Sequence, residues 1–448
     1  VAPGATLDKV AETIAFDPTV GTWSKVKGET DTLIEEYSGK VLLPLPSESA
    51  QKGQLRIAIP AHNIDPIVGG IPHLQAILGA PYTLKQIARI HLINLDLPRS
   101  FVKHLPGPRF GIEGVRQNMG IETTRPLIAT MLKPRAGLGT AAYAEMAYEA
   151  LCGGVDIIFD DELLVAPESS PLFERIAALK IAADRAEQET GQPKRYASNI
   201  TSSIRHTREV ALRAQELGTD FLYLNPVTMG LPALEMLAAD PQITLPIFCC
   251  RSGYGMLSRG GNGMAFFVLL KLARYCGADA MHMGSVGGQL PHAIIGDDSE
   301  LRSRVSWLRA RIRGIQQTMP IISGGIHPGS LSWNIKRLGT DMIVQAGSGV
   351  LGHPDGARAG GIAMKAAVEA AMQGVPTYVA AESVPELAAA LGKWGYLDGT
   401  GIHTLEELKP HPKTPEQFII NTQGGNVVLG DVHTQGDFVG RDQTKGEE

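Results

Sequence analysis

The chain has 448 residues, 44% hydrophobic and 19% charged, with a formal net charge of -5. That apolar content supports a buried core and excludes an intrinsically disordered chain, and an acidic balance with no Lys/Arg-rich block argues against a nucleic-acid binder. No apolar run reaches membrane-spanning length, and the four cysteines show no CxxC spacing, so neither a membrane protein nor a disulfide or zinc scaffold is expected; a reducing cytoplasm is the default compartment.

Residues 1–120 read as a small α+β domain, N-terminally incomplete because the chain opens on Val1. "LDKVAETIAFD" has the spacing of an amphipathic helix, and "GQLRIAIPAHNI" and "ARIHLINLDLP" read as strands bounded by Pro and Gly. From residue 121 to 398 the pattern changes to strand–helix alternation. Candidate strands cover 126–134, 155–161, 195–201, 221–227, 245–251, 278–285, 319–325 and 341–349. Helical patterns such as "AAYAEMAYEALCGG" and "PLFERIAALKIAADRAEQETG" lie between them, most closed by a C-capping glycine. Eight apolar strands over this length predict a (β/α)8 TIM barrel, with a doubly wound open sheet as the alternative. Residues 399–448 are polar. They carry two imperfect copies of a Gly/Val/Asp pattern, "GGNVVLGD" and "QGDFVGRD", and read as a flexible tail or a small β element used in assembly.

Polar residues cluster at the C-terminal ends of the candidate strands, where a barrel gathers its active site. They are Lys133, Arg135, Asp160, Asp161, Glu162, Asn199, Asn225, Arg251 and His282, followed by the turns Ser323-Gly324-Gly325 and Gly347-Ser348-Gly349. Three adjacent carboxylates need a counter-charge or a metal if buried, and hard oxygen ligands suit Mg2+, against the alternative of an exposed acidic loop. The two glycine turns can present backbone N–H groups to a phosphate, although glycine is common in such turns anyway. Arg251 and His282 would form a second anion site. Lys133 would point into the barrel mouth as an acid or base. Cys249 and Cys250 are nucleophile candidates on type alone, but buried strand cysteines are far more common.

Taken in order, these motifs resemble the large subunit of ribulose-bisphosphate carboxylase (RuBisCO). "TMLKPRAGLG", "GGVDIIFDDELL", "CCRSGYG", "MHMGSVGG", "MPIISGGIHPG" and "VQAGSGVLGHPDG" match its successive barrel segments, and "VGTW" and "GPRFGIEGVR" match segments before the barrel. The resemblance implies a homodimer, or a multiple of dimers, with the active site at the interface. There the partner's segment around Asp17, Thr22 and Trp23 would cover the mouth. It implies a catalytic role for Lys133, Mg2+ ligation by Asp161 and Glu162, and contacts to a sugar phosphate from Arg251, His282, Ser323, Gly324, Gly325, Gly347 and Ser348.

The departures carry more information. Phe159 stands where the family has the lysine whose carbamate completes the metal site, and a phenyl ring can do neither job. Gln289 replaces the lysine placed over CO2, and a neutral donor is a poor substitute for a cation beside a forming carboxylate. Asp17, Ala80, Cys250 and Tyr254 replace further family residues. The chain is therefore most similar to the RuBisCO-like proteins, often called form IV. That resemblance implies enolisation, isomerisation or decarboxylation of a phosphorylated ketose or sugar acid, with methionine salvage as one setting, and no carboxylation. A non-catalytic phosphate-binding scaffold and a true carboxylase are the alternatives.

Overall fold

The computed structural model describes residues 1–22, 24–42, 52–121, 124–287, 298–404, 407, 419–422 and 425–428. Eight parallel strands close into a barrel: β1 (Leu127–Met131), β2 (Ile157–Phe159), β3 (Arg195–Asn199), β4 (Phe221–Leu224), β5 (Ile247–Cys249), β6 (Ala280–His282), β7 (Met319–Ser323) and β8 (Ile343–Gln345). Neighbours in sequence are neighbours in the sheet, and β8 closes on β1 with Ile343 opposite Leu127. All eight strands fall inside the segments expected from sequence. Runs such as "LIATM" and "FLYL" are apolar at every position because both faces are covered.

The eight principal helices of the barrel follow in turn: α1 (Thr140–Cys152), α2 (Leu172–Thr190), α3 (Thr207–Glu216), α4 (Leu231–Ala239), α5 (Phe266–Cys276), α6 (Ser299–Arg309), α7 (Pro328–Leu338) and α8 (Gly356–Gln373). Side-chain alternation divides the barrel into two cores. Leu127, Ala129, Met131, Ile157, Phe159, Ala197, Phe221, Tyr223, Phe248, Cys250, Ala280, Met319, Ile321 and Ile343 point inward. Their sequence neighbours, including Ile128, Ile158, Tyr196, Leu222, Cys249, Met281, Ile322 and Val344, point outward against the helices.

The helix Gly111–Met119 adds Ile112, Val115 and Met119 to the inner core. Each such burial is worth about 1.5–3 kcal/mol relative to exposure. Its start is fixed by buried Asp279, whose carboxylate accepts from the N–H groups of Phe110 and Gly111 and, on its other oxygen, from Ile247 N–H.

Before the barrel, the expected helix forms at Leu7–Phe16, but the expected strands shrink to the two-residue pieces Ile57–Ala58 and His91–Leu92. The first pairs with Lys40–Val41 and the second with Gly263–Met264 of the barrel half. Local alternation was legible there, while the partners that limit strand length lie far off in sequence. At the C-terminal end, Ile419–Thr422 and Gly425–Val428 form an antiparallel hairpin over the first Gly/Val/Asp copy; the second copy lies outside the described residues. No described helix is long and apolar enough to cross a membrane.

Candidate active site

Strand alternation carries the inward face up to the rim. Two residues beyond Met131 stands Lys133, two beyond Phe159 stands Asp161, and Cys250, His282, Ser323 and Gly347 arrive the same way. They surround a cavity of about 990 Å3 lined by Lys133, Arg135, Glu162, Cys250, Arg251, Tyr254, His282, Ser323, Gly324, Gly325, Gly347 and Ser348, among others. Thus the barrel brings together nearly all the residues expected from its own sequence.

Asp161 is fully buried beside this cavity. Its Oδ2 takes the Lys133 ammonium, while Oδ1 accepts from Leu163 N–H and faces Arg135 Nε at 3.3 Å. Glu162 reaches the cavity wall, and no described group hydrogen-bonds or ion-pairs with it. Asn199 is buried below and donates to the Asp161 carbonyl, fixing the strand end.

Asp160 corrects the expectation of three convergent carboxylates. One residue out of phase, it faces outward into the helix layer. There Arg175 of α2 grips both its oxygens at 3.0 and 3.2 Å, and Tyr196 Oη and Asn199 N–H donate to it. The same guanidinium donates to the carbonyls of Ser170, Leu164 and Val165. Burial opposes the charge on Arg175, but Asp160 outweighs it and holds the group above its ordinary value. The pair thus staples the loop that begins at Asp161 and Glu162. Asn225 also serves the scaffold: it caps the short helix Pro226–Met229 and donates to the Ser252 carbonyl.

Below the cavity Phe159 is fully buried. Its ring stacks on Phe248 at 5.8 Å and meets Tyr223 edge-on at 5.4 Å. The metal implied by the resemblance does not fit this residue set. The position of the third ligand is an aromatic plug, Asp161 is already engaged by two cationic side chains, and among the described residues no three of His, Cys, Asp or Glu converge as a metal site. Cys250 is no nucleophile, because burial pushes its thiol up to about 12, and Cys249 faces the outer core. Burial, reinforced by Arg251, pulls His282 down to about 3, so its ring is neutral at ordinary pH.

In the turns that follow β7 and β8, no turn, loop or cap hydrogen bond among the described residues engages the N–H groups of Gly324, Gly325, Gly347 or Ser348. Gly324 and Gly325 take φ of 104° and 82°, which favours glycine. The Gly347 turn is seated by α8: a Cβ on Gly360 would lie 2.1 Å from the Val350 carbonyl oxygen.

Thr22 lies in the N-terminal segment, donating to the Ser24 carbonyl and to Glu29, and does not line this chain's own cavity. Asp17 caps the first helix and Ala80 begins a short 3-10 turn, also away from it. Trp23 and Gln289 lie outside the described residues. Sequence reasoning missed Arg175 and Arg304. Arg175 had a signal, a charge on the apolar stripe of Leu172, Ile176 and Leu179. Arg304 had none among Arg302, Arg309, Arg311 and Arg313.

Comparison with known proteins agrees with this architecture. The family model described as the ribulose bisphosphate carboxylase large chain, catalytic domain, matches residues 111–394, and the model of the N-terminal domain matches residues 1–101. The chain belongs to the ribulose bisphosphate carboxylase large-chain family. Within the family it is 34% identical to a ribulose bisphosphate carboxylase of Methanocaldococcus jannaschii, covering 88% of this chain and 95% of that one. It is 33% identical to the 2,3-diketo-5-methylthiopentyl-1-phosphate enolase of Bacillus licheniformis, covering 88% and 96%. Among solved structures, the dimeric archaeal RuBisCO of Hyperthermus butylicus superposes with a TM-score of 0.79 at 32% identity, covering 88% and 94%. These RuBisCO relatives match at the same level as the enolase.

Proposed function

We propose that this member of the family is a proton-transfer enzyme acting on a phosphorylated ketose or sugar acid through an enediolate, and not a carboxylase. The observation that carries the reading is the pairing of cavity-lining Lys133 with buried Asp161, together with a cavity-lining Glu162 that no described group engages, above a plug of Phe159. The glycine turns would hold one phosphate through backbone N–H groups. The Lys133 ammonium would hydrogen-bond the substrate carbonyl. Glu162 would take the proton from the neighbouring carbon, the C–H electron pair would form the enediolate C=C bond, and the C=O π pair would move onto the carbonyl oxygen as an oxyanion hydrogen-bonded by the still-protonated Lys133. Lys133 and Arg135 then supply positive charge where the oxyanion develops. Decarboxylation needs the same stabilisation, with CO2 leaving in place of the proton.

A homodimer, as in the dimeric relative, would bring Thr22 and Trp23 of a second copy to the cavity mouth. The unpaired cysteines suit a reducing cytoplasm.

The test is exchange of substrate hydrogen in D2O, followed by NMR over a panel of sugar phosphates and with EDTA present throughout. Exchange that survives EDTA and is lost in Lys133→Ala and Glu162→Gln supports the reading. Exchange that needs added Mg2+ overturns the metal-independent mechanism. Ligand-induced thermal stabilisation without any exchange points to the binding scaffold, and CO2 incorporation into ribulose bisphosphate to the carboxylase.

A further inference from the structure

Strand tilt sorts the inward side chains of a barrel into layers, each drawn from alternate strands. Here pairing runs from Phe159 through Ala197 to Phe221, and the tilt carries the layer two residues on, to Tyr223. The same step leads from Tyr223 through Phe248 and Ala280 to His282, and from His282 through Ile321 and Ile343 to Gln345. From Gln345 it returns through Ala129 and Ile157 to Phe159. The even-numbered strands thus contribute one residue each to a single layer. Ring distances agree: the Tyr223 centroid lies 5.4 Å from Phe159 and 5.5 Å from His282. His282 and Gln345 line the cavity, so this layer is its floor. The layer beneath, Ala129, Ala197, Phe248 and Ile321, is apolar throughout.

Within this floor Tyr223 Oη, His282 Nε2 and Gln345 Nε2 are all buried, and none has a hydrogen-bond partner among the described residues. The three residues are at most 5% exposed. A buried polar atom left unpaired forfeits its hydration, and most such atoms in folded proteins are paired. A phenylalanine at position 223 would pack against the same rings without that loss. Burial holds the Tyr223 phenol well above its ordinary value, and Cys250 and Glu162 nearby add to the effect, so the group is a neutral O–H donor. Gln345 Nε2 also donates, and the neutral His282 ring can accept at Nε2. A hydroxyl carries the matching set, two lone pairs and one proton. It would accept from Tyr223 and Gln345 and donate to His282. A carbonyl or carboxylate oxygen has no proton for His282, and a carboxylate would bring a charge among neutral buried groups.

We propose that Tyr223 is a specificity-determining residue that reads an uncharged hydroxyl on an inner carbon of the substrate. This deepens the proposed function and rests on its placing a sugar phosphate in the cavity. Gly347 stands two residues beyond Gln345 on the same strand, so a ligand with its phosphate at the glycine turns presents its carbon chain to the floor. The counterpart lacking that hydroxyl is rejected because it leaves three buried polar atoms unpaired.

The test is calorimetric binding of ribitol 5-phosphate and its 2-deoxy, 3-deoxy and 4-deoxy analogues. The wild-type protein is expected to bind the parent about tenfold or more tightly than one of the analogues, the loss that stranding a buried donor produces. Tyr223→Phe should weaken the parent and leave that analogue within about twofold, so that most of the preference disappears. Its ligand-free melting temperature should equal or exceed that of wild type, because the hydroxyl removed has no partner in the free protein. A lower melting temperature would make the hydroxyl structural and overturn the proposal. So would equal binding of all four compounds by wild type, the result expected if bound water serves the floor instead. No binding of the parent, a preference that survives Tyr223→Phe, or a uniform loss for all four would overturn it as well. Because these polyols cannot enolise, the result is independent of the exchange experiment. Exchange without discrimination against a deoxy analogue would sink this inference alone, and discrimination without exchange would sink the proposed reaction alone.

Discussion

Arg175→Met is the sharpest probe of how the second barrel strand presents its carboxylates. The substitution keeps much of the aliphatic stem and deletes a guanidinium that binds Asp160 twice and three loop carbonyls. Both partners of the pair are fully buried. Removing one partner of a buried ion pair strands the other charge and costs about 3–5 kcal/mol. A domain of this size loses roughly 2 °C of melting temperature per kcal/mol, so a fall of about 6–10 °C is expected. Asp160→Asn alone keeps an acceptor for Tyr196 and Asn199 N–H and should cost less. The double variant should recover a large share of the single-variant loss, giving a coupling of about 2 kcal/mol or more in a cycle measured by urea unfolding. The released loop also carries Asp161 and Glu162, so proton exchange should fall even where the variant is fully folded. Coupling below about 0.5 kcal/mol, or unchanged exchange in a folded Arg175→Met protein, would refute the view of this pair as the staple of the loop.

Phe159→Ala empties the plug between Phe248 and Tyr223. It should cost about 3–5 kcal/mol by urea unfolding, and a cost under 1 kcal/mol would mean the inner core does not depend on that ring. Acid sensitivity follows from His282 and His327, held at about 3 and about 4 against 6.5 when unfolded. Their folded values are depressed, so the unfolded chain takes up protons first, and stability is lost as pH falls from about 6.5 toward 4. Asp279 works against this, because burial raises it to about 6 and its ionised form is the costly one. Near pH 5 these three groups leave a net uptake of about one proton on unfolding, a loss of about 1.4 kcal/mol per pH unit. Urea midpoints at pH 7.5, 6 and 5 should decline, and a rise on acidification would contradict the sign.

The barrel was legible because eight apolar runs recur with helical patterns between them, and because a residue's position relative to the strand end decides whether it reaches the rim. Lys133, Arg251, His282 and the two glycine turns could be placed that way. Asp160 could not, since adjacent carboxylates look alike until strand phase is known, and a two-residue uncertainty in the strand end erases the phase. Arg304 arrives from a helix after a long loop, so only folding brings it beside Arg251. The short N-terminal strands were over-read because their length depends on pairing with distant segments such as Gly263–Met264.

The split between Asp160 and Asp161 has a practical meaning for anyone redesigning this molecule. Adjacent positions on a barrel strand report to separate compartments: one secures a helix and the other pairs with Lys133 beside the cavity. Inward positions such as Phe159, Cys250 and Gln345 form a cassette whose chemistry can be exchanged while the fastening of the strands to their helices is left alone. The constraint on such exchange is register. One residue inserted ahead of Asp160 would swap the two compartments, sending the helix anchor into the mouth and the partner of Lys133 into the wall.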